Sequence, residues 1–356
     1  MDEKPKRELI KGNVAIARAA IEAGCRFYFG YPITPQNDIP EYLAKHLPLV
    51  DGTFLQGESE IGSINMCLGV AAVGKRAMTS SSGPGLSLKQ EGLSYHAGSE
   101  LPVVVVNIMR SGPGLGGISP SQGDYYQATR GGGHGDYRMI VLAPNCSQEM
   151  WDLTFLAFDL AEKYRNPAQI LADAVLGQTS EVVDTRIPEG VEIPPKDYIV
   201  GSRKGRPQRV IKSLFLGERE LEKHCYDLDR KYKEIEANEV RWDEYLTEDA
   251  DIVVVSFGIA SRIARTAIDR AREKGIKVGL FRPISLWPYP YKRLSEIADT
   301  VDKLLCFELN LGQMVDDVRI AVGDKAQIFL YGRPPGTGAL PYAEEVLEQI
   351  EKYAGD

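Results

Sequence analysis

The sequence predicts an α/β protein, with one parallel sheet covered by helices on both faces and then a second, smaller unit of the same kind. Three observations carry this. Short apolar runs alternate with longer amphipathic segments through the first half of the chain. One run, "LPVVVVNIMR" from Leu101 to Arg110, carries four consecutive valines and is apolar at most positions over a strand's length, as a strand buried on both faces requires. The alternation breaks over residues 186–250 and then resumes. Strands alternating with helices in this way build parallel sheets.

The elements follow in order. "GNVAIARAAIEAGC" places apolar residues at helical spacing and stops at Gly24. "RFYFGYP" reads as a short strand, "IPEYLAKHL" as a helix and "GTFLQGE" as a strand. "SEIGSINMCLGVAAVG" is a helix rich in small residues, and "RAMTSSS" is a strand running into "GPG". "LSLKQEGLSYHAGSE" is a helix leading to the valine-rich strand. "YRMIVLAP" and "PAQILADA" add strands on either side of the long amphipathic "SQEMWDLTFLAFDLAEKY". "IPEGVEIPPKDY" is proline-rich and irregular, and "ERELEKHCYDLDRKYKEIEANEVRWDEYL" reads as a charged helical arm, exposed to solvent. The second unit reads strand "ADIVVVSFG", helix "IASRIARTAIDRAREKG", strand and loop "IKVGLFRPISLWPYP", helix "YKRLSEIADT", strand "KLLCFELN" and closing helix "YAEEVLEQIEKY". The expected division is residues 1–185, an arm or linker at 186–250, and residues 251–356.

Composition narrows the function. With 43% hydrophobic and 26% charged residues the chain is of ordinary globular type, and its net charge of −8 argues against nucleic-acid binding. The basic run Arg203 to Lys212 is short and reads as a solvated linker face. No apolar run reaches the roughly 18 residues of a membrane span, and "MDEKPKRELIKGN" lacks the apolar core of a signal peptide. Five cysteines at 25, 67, 146, 225 and 306 form no CxxC pair, which points to a reduced cytoplasmic chain without a disulfide framework or its own iron–sulfur cluster. Four histidines without metal spacing argue against a zinc site, and no metal ligand is expected in this chain.

Several loops at strand ends carry chemistry. In "FGYPITPQND" two prolines bracket Ile33 and Thr34 and stiffen the chain where a strand ends. "GPGLGG" matches GxGxxG after a strand, but "ISPSQGDYY" follows it where a dinucleotide fingerprint needs an immediate helix. The glycine-dense stretch 112–135 is instead a long loop beside a site. Arg110 stands at the carboxyl end of the valine strand, where α/β sheets bind ligands, and a guanidinium suits a carboxylate; a surface ion pair is the other reading. Glu58 and Glu60 in "GESEIGS" suit a helix start as dipole partners, and Glu60 also suits a carboxylate aimed at a ligand. "SSSGPG" could hold an anion on helix-start amides or form a plain turn. No P-loop and no GxSxG elbow occurs.

Taken together, "GYPITP", "GESEIG", "TSSSGPG", "NIMRSGPGLGG" with "PSQGDYYQA", and the later "FRPISLWPYP" and "ELNLGQM" resemble the α subunit of 2-oxoacid:ferredoxin oxidoreductases across nearly the whole chain. The resemblance implies a pyrimidine-binding-type thiamine diphosphate domain followed by a transketolase C-terminal-like domain. It implies oxidative decarboxylation of a 2-oxoacid with CoA to an acyl-CoA, with electrons passed to ferredoxin. It places Glu60 on the glutamate that hydrogen-bonds the aminopyrimidine ring, Thr34 on the threonine that contacts substrate, and Arg110 on the arginine that binds the substrate carboxylate.

The Gly-Asp-Gly that resembling thiamine enzymes use for the diphosphate and its Mg²⁺ does not occur in this sequence. The resemblance therefore implies half a cofactor site here, the diphosphate half in a β subunit, and iron–sulfur clusters in γ and ferredoxin-like δ subunits, assembled as a dimer of hetero-oligomers. "GPGLGGISPSQGD" departs from the pattern of the 2-oxoglutarate branch and is more similar to the 2-oxoisovalerate, branched-chain branch. A 2-oxoglutarate- or pyruvate-specific member stays open, as does a non-catalytic assembly subunit that keeps the thiamine-domain fold.

Overall fold

The computed structural model describes residues 7–201, 205–336 and 340–355. Residues 1–6 of the charged opening segment, and Arg203 and Lys204 of the basic run, lie outside the described residues.

The first half runs β1 (Arg7–Lys11), α1 (Gly12–Glu22), β2 (Phe27–Gly30), α2 (Asp38–His46), β3 (Thr53–Gln56), α3 (Glu60–Ala72), β4 (Ala77–Ser81), α4 (Pro84–Gly98) and β5 (Val103–Met109). It continues through α5 (Tyr125–Arg130), β6 (Ile140–Leu142), α6 (Ser147–Tyr164), β7 (Pro167–Asp173), α7 (Ala174–Gln178) and β8 (Ser180–Asp184). After an irregular stretch come α8 (Glu220–Asn238), β9 (Trp242–Tyr245), β10 (Ile252–Val255), α9 (Gly258–Glu273), β11 (Val278–Pro283) and β12 (Ser285–Trp287). The chain closes with α10 (Tyr291–Ala298), β13 (Lys303–Glu308), α11 (Met314–Val322), β14 (Gln327–Gly332) and α12 (Ala343–Gly355).

Two large sheets result, as the alternation requires. The first has the order β12-β6-β7-β5-β4-β2-β3, parallel throughout except for β12. Its centre is β5, buried at every residue because helices cover both faces. β-Branched side chains fit such a strand, and each one fully buried contributes about 1.5–3 kcal/mol. The second sheet has the order β14-β13-β10-β11-β9, parallel except for β9. A two-stranded antiparallel pair, β1 with β8, completes the set.

Three sequence expectations are corrected. The charged arm is not helical to Leu246: the helix stops at Asn238, and Trp242–Tyr245 turns into an antiparallel edge strand on β11. Nor is it simply exposed. Leu228, Tyr232 and Ile235, at helical spacing, are buried, and Tyr232 meets Trp287 edge-on at 5.8 Å. Three apolar residues among many charges are enough to seat one face of a helix, which an average over the segment hides. Finally, "RPISLWP" is not one strand with a loop. Ser285–Trp287 separates as β12 and pairs with β6 of the first sheet, so the chain crosses from one sheet to the other and back.

The sheet order positions the ligand end. After β2 the chain moves outward to β3, while after β4 it moves the other way to β5. Connections leaving adjacent strands in opposite directions open a crevice at their carboxyl ends, where α/β sheets bind ligands. The loops that follow β2, β4 and β5 are "YPITPQN", "SGPG" and "RSGPGLGG". Among the described residues, no helix is long and apolar enough to cross a membrane.

Candidate active site

Thr34 stands on the loop after β2, and that loop is held from several sides. The buried Gln36 side chain accepts from the Ser80 hydroxyl at 2.5 Å, and Ser80 in turn meets the Tyr28 hydroxyl at 2.6 Å. Asn13 and Gln178 each donate a side-chain amide hydrogen to the Pro35 carbonyl at 2.9 Å. Thr34 is nevertheless exposed, and its hydroxyl receives only a long 3.5 Å bond from Asn37. The prolines, and Gln36 with them, fix the backbone while leaving the threonine side chain available.

The two glutamates at the start of α3 have different fates. Ser59 is the N-cap: its hydroxyl accepts from the Gly62 N–H at 3.1 Å and donates to Glu58 at 2.9 Å. Glu58, on the exposed side, lies over Gly62 and serves the first turn. Glu60 turns inward and is 5% exposed, and no described residue donates a hydrogen bond to its carboxylate.

Behind Glu60 lies Lys89, fully buried, whose ammonium donates to the Thr79 hydroxyl at 3.0 Å and to the Glu60 carbonyl at 3.4 Å. Burial pulls the Lys89 amine down to about 8, and the charge of Glu60 opposes that shift. Sequence reading passed over Lys89, although it lies on the same helical face as Leu86 and Leu93, which are buried with it. A lysine at core spacing was the signal.

The turn into α4 is wedged between the two charged groups. A Cβ on Gly85 would fall 2.4 Å from Glu60 Oε1 and 2.1 Å from Ser81 Oγ. Gly83, at φ +45°, has the Arg110 stem 3.4 Å from where its Cβ would stand. "SSSGPG" is thus a close-approach turn, and the absence of side chains is what lets Glu60 and Arg110 approach it. The Gly85→Ala variant is expected to displace the Glu60 carboxylate, lose most activity and destabilise the fold by about 1–3 kcal/mol. Thermal melting with turnover of the assembled complex checks this. Unchanged turnover would show that Glu60 has no need of its place.

Arg110 is 8% exposed and ties two loops together. One terminal nitrogen donates to the Thr34 carbonyl and the other to the Leu115 carbonyl, each at 3.0 Å. Its Nε is buried with no partner among the described residues, and so are Ser81 Oγ, Ser82 Oγ and Asn107 Oδ1 nearby at the carboxyl ends of β4 and β5. Unsatisfied polar atoms are rare in native interiors, and a cluster of them marks where a ligand would complete the bonding. Asp124 closes this side. It accepts from Asn107 Nδ2 at 2.9 Å, and burial pushes its carboxyl up while Arg110 pulls it back. Asp124 carries no signal of this role within "PSQGDYYQA", because nothing local joins it to a residue 14 positions earlier.

The structure therefore brings Thr34 and Arg110 into direct contact, and sets Glu60 across the "SGPG" turn from them. The GxGxxG stretch opens no helix: residues 110–124 are irregular, and the next helix begins at Tyr125. Among the described residues, no group of three or more His, Cys, Asp or Glu could hold a metal ion.

Both halves of the chain match families of known proteins. Residues 18–244 match the family described as pyruvate flavodoxin/ferredoxin oxidoreductase, thiamine diphosphate-binding. Residues 250–346 match pyruvate:ferredoxin oxidoreductase core domain II. The chain is 50% identical to the ketoisovalerate oxidoreductase subunit VorB of Methanothermobacter thermautotrophicus, over 98% of both chains. It is 37% identical to the 2-oxoglutarate synthase subunit KorA of the same organism, over 96% of this chain and 98% of that one. The solved 2-oxoglutarate:ferredoxin oxidoreductase from Magnetococcus marinus, with 2-oxoglutarate, coenzyme A and succinyl-CoA bound, superposes with a TM-score of 0.87 at 27% identity. That match covers 98% of this chain, which spans 66% of the longer solved one. Both halves are matched in order and almost end to end, and the chain belongs to the 2-oxoacid:ferredoxin oxidoreductase family, as a subunit of its α type.

Proposed function

We propose that this chain is the α subunit of a cytoplasmic enzyme that oxidatively decarboxylates a branched-chain 2-oxoacid, 3-methyl-2-oxobutanoate first among them. The products are acyl-CoA, CO₂ and reduced ferredoxin. The observation that carries the reading is the Arg110 guanidinium, bonded to the Thr34 loop and set beside the turn that packs on Glu60, at the switch point of the sheet.

The residues present fit the pyrimidine half of thiamine diphosphate. Glu60 offers a buried carboxylate with no hydrogen bond from the described residues, and the bare Gly85 leaves room in front of it. When bound, the cofactor supplies the electron sink that decarboxylation of a 2-oxoacid needs. Glu60 accepts a hydrogen bond from the aminopyrimidine ring and holds a proton there. Arg110 offers Nε and its remaining terminal hydrogens to the substrate carboxylate, a charge-assisted and planar match. Thr34 presents a hydroxyl to the substrate from a backbone that is already ordered, which spares the entropy of fixing it on binding.

In this reading the diphosphate and Mg²⁺ belong to a β subunit and the clusters to γ and δ partners, which the lack of a Gly-Asp-Gly in this sequence and its scattered cysteines support. Substrate choice is supported by the higher identity to a ketoisovalerate subunit than to a 2-oxoglutarate one. It is also supported by the loop itself. Residues 111–119 carry Leu115 and Ile118, both exposed, and no cation for a second carboxylate.

The test is turnover by the complex reconstituted with its partners, read as 2-oxoacid- and CoA-dependent reduction of viologen dye. 3-Methyl-2-oxobutanoate is expected to exceed 2-oxoglutarate and pyruvate in kcat/KM by about tenfold or more. The Thr34→Val variant is expected to lose turnover while its stability changes by no more than about 0.5 kcal/mol, since among the described residues the hydroxyl has only the long bond from Asn37. A preference for 2-oxoglutarate would overturn the substrate assignment. A complex that assembles yet reduces no dye with any 2-oxoacid would return the chain to an assembly role.

A further inference from the structure

Residues 121–126 belong to the first half by sequence, yet the second half holds them. Gln122 is fully buried. Its N–H donates to the Leu309 carbonyl at 2.9 Å, its Oε1 accepts from the Leu309 N–H at 3.0 Å, and its Nε2 donates to the Phe257 carbonyl at 2.8 Å. Asn310 donates to the Gln122 carbonyl at 2.9 Å. Gln313 spans the next turn, donating to the Gly123 carbonyl at 2.8 Å and accepting from the Tyr126 N–H at 2.9 Å. Beyond it, the Tyr125 hydroxyl and Arg130 both meet Asp317, at 2.5 and 2.9 Å.

The receiving side is rigid for a visible reason. Glu308, fully buried at the end of β13, accepts the N–H groups of Gln313, Met314 and Val315 and one amide hydrogen of Asn310. "ELNLGQM" is therefore a turn wound around one carboxylate, with Asn310 and Gln313 presented from it at fixed positions.

The other end of the same connection is Arg110. Residues 111–119 close on themselves, with the Ser111 N–H on the Ser119 carbonyl at 2.9 Å and the Gly117 N–H on the Ser111 carbonyl at 3.0 Å. Their tip is exposed, and the Leu115 carbonyl is held by Arg110. One anchor of this loop is thus the guanidinium, and the other is the seam to the second half.

We propose that Gln122 and Gln313 are positioning residues, which carry the placement of the second half into the loop 111–119 and so into the orientation of the Arg110 guanidinium. A seam of buried, directional bonds ties the end of the loop to the second half, so that a shift of one is carried to the other.

Gln122→Ala would strip partners from buried backbone groups and risks folding, so Gln313, half-buried, is the variant to use. Amide exchange is measured at Ser111 and Gly117 in the assembled complex. Gln313→Ala is expected to raise it about tenfold or more, Gln313→Glu less, since glutamate keeps the acceptor for the Tyr126 N–H, and β5 not at all. Unchanged exchange in the loop overturns the proposal, as does a rise spread evenly over both sheets. The kinetic readout rests on the substrate role of Arg110: the KM for 2-oxoacid is expected to rise severalfold with the KM for CoA unmoved. Faster loop exchange with an unmoved 2-oxoacid KM would support the coupling and sink the role given to Arg110 instead.

Discussion

Glu60→Gln is expected to reduce 2-oxoacid-dependent dye reduction by about 10²–10⁴-fold while leaving the complex folded. The amide keeps the shape of the side chain but cannot hold the proton that a carboxylate shares with a ring nitrogen, and proton handling by one positioned group is worth about that factor. Stability should move little, because the carboxylate is buried without a hydrogen bond from any described residue. Removing a charge in that state relieves desolvation. The favourable field between Glu60 and the buried Lys89 is lost, and this offsets part of the relief. Melting temperature and turnover measured on the same preparation separate the two effects. Turnover near that of the unmodified complex would remove Glu60 from the chemistry, and the inward turn of α3 would then be packing alone.

Arg110→Lys is expected to raise the KM for 2-oxoacid about a hundredfold, with a smaller loss in kcat. The guanidinium reaches the Thr34 and Leu115 carbonyls at once and still has Nε to offer. An ammonium is a single point of charge and cannot span that fork. Removing one partner of a buried, hydrogen-bonded charge pair costs on the order of 2–5 kcal/mol, in line with that loss of affinity. Because the two loop ties cannot both be kept, a stability loss of about 1–3 kcal/mol should accompany it. Added guanidinium ion is expected to restore part of the activity of Arg110→Ala but none of that of Glu60→Gln. An Arg110→Lys complex with normal KM would mean that the arginine serves only to tie loops.

Much of the fold was legible in the sequence. Val103–Met109 announced itself as a doubly covered strand by its four consecutive valines and the Ile-Met that follow Asn107, and the helices of the first sheet by their spacing. What failed to show had a common cause. Trp242–Tyr245 and Ser285–Trp287 are short strands whose pairing partners lie in other segments, so their local patterns are too brief to declare a period. Residues 220–238 looked exposed because charge dominates the average, although three apolar residues seat one face.

The site divided in the same way. Thr34, Glu60 and Arg110 were each placed at a strand end by reading along the chain, and Glu60 and Arg110 had bland alternatives there. Glu58 and Glu60 were indistinguishable as dipole partners until Glu58 took the helix turn and Glu60 turned into the protein. Lys89 and Asp124 went unassigned because their meaning lies in neighbours 10 and 17 positions away, Thr79 and Asn107.

By itself, then, the sequence determined the alternation of elements, the stiffened and glycine-rich loops at the strand ends, and the family, because these rest on local spacing and on quoted motifs. Only the tertiary structure decided that the loops after β2, β4 and β5 meet, that Arg110 bonds the Thr34 loop, and that Ser121 to Tyr126 are held by the second half. Strand order and inter-sheet contact arise from burial shared between distant segments, and no local pattern along a chain records which distant segment that is.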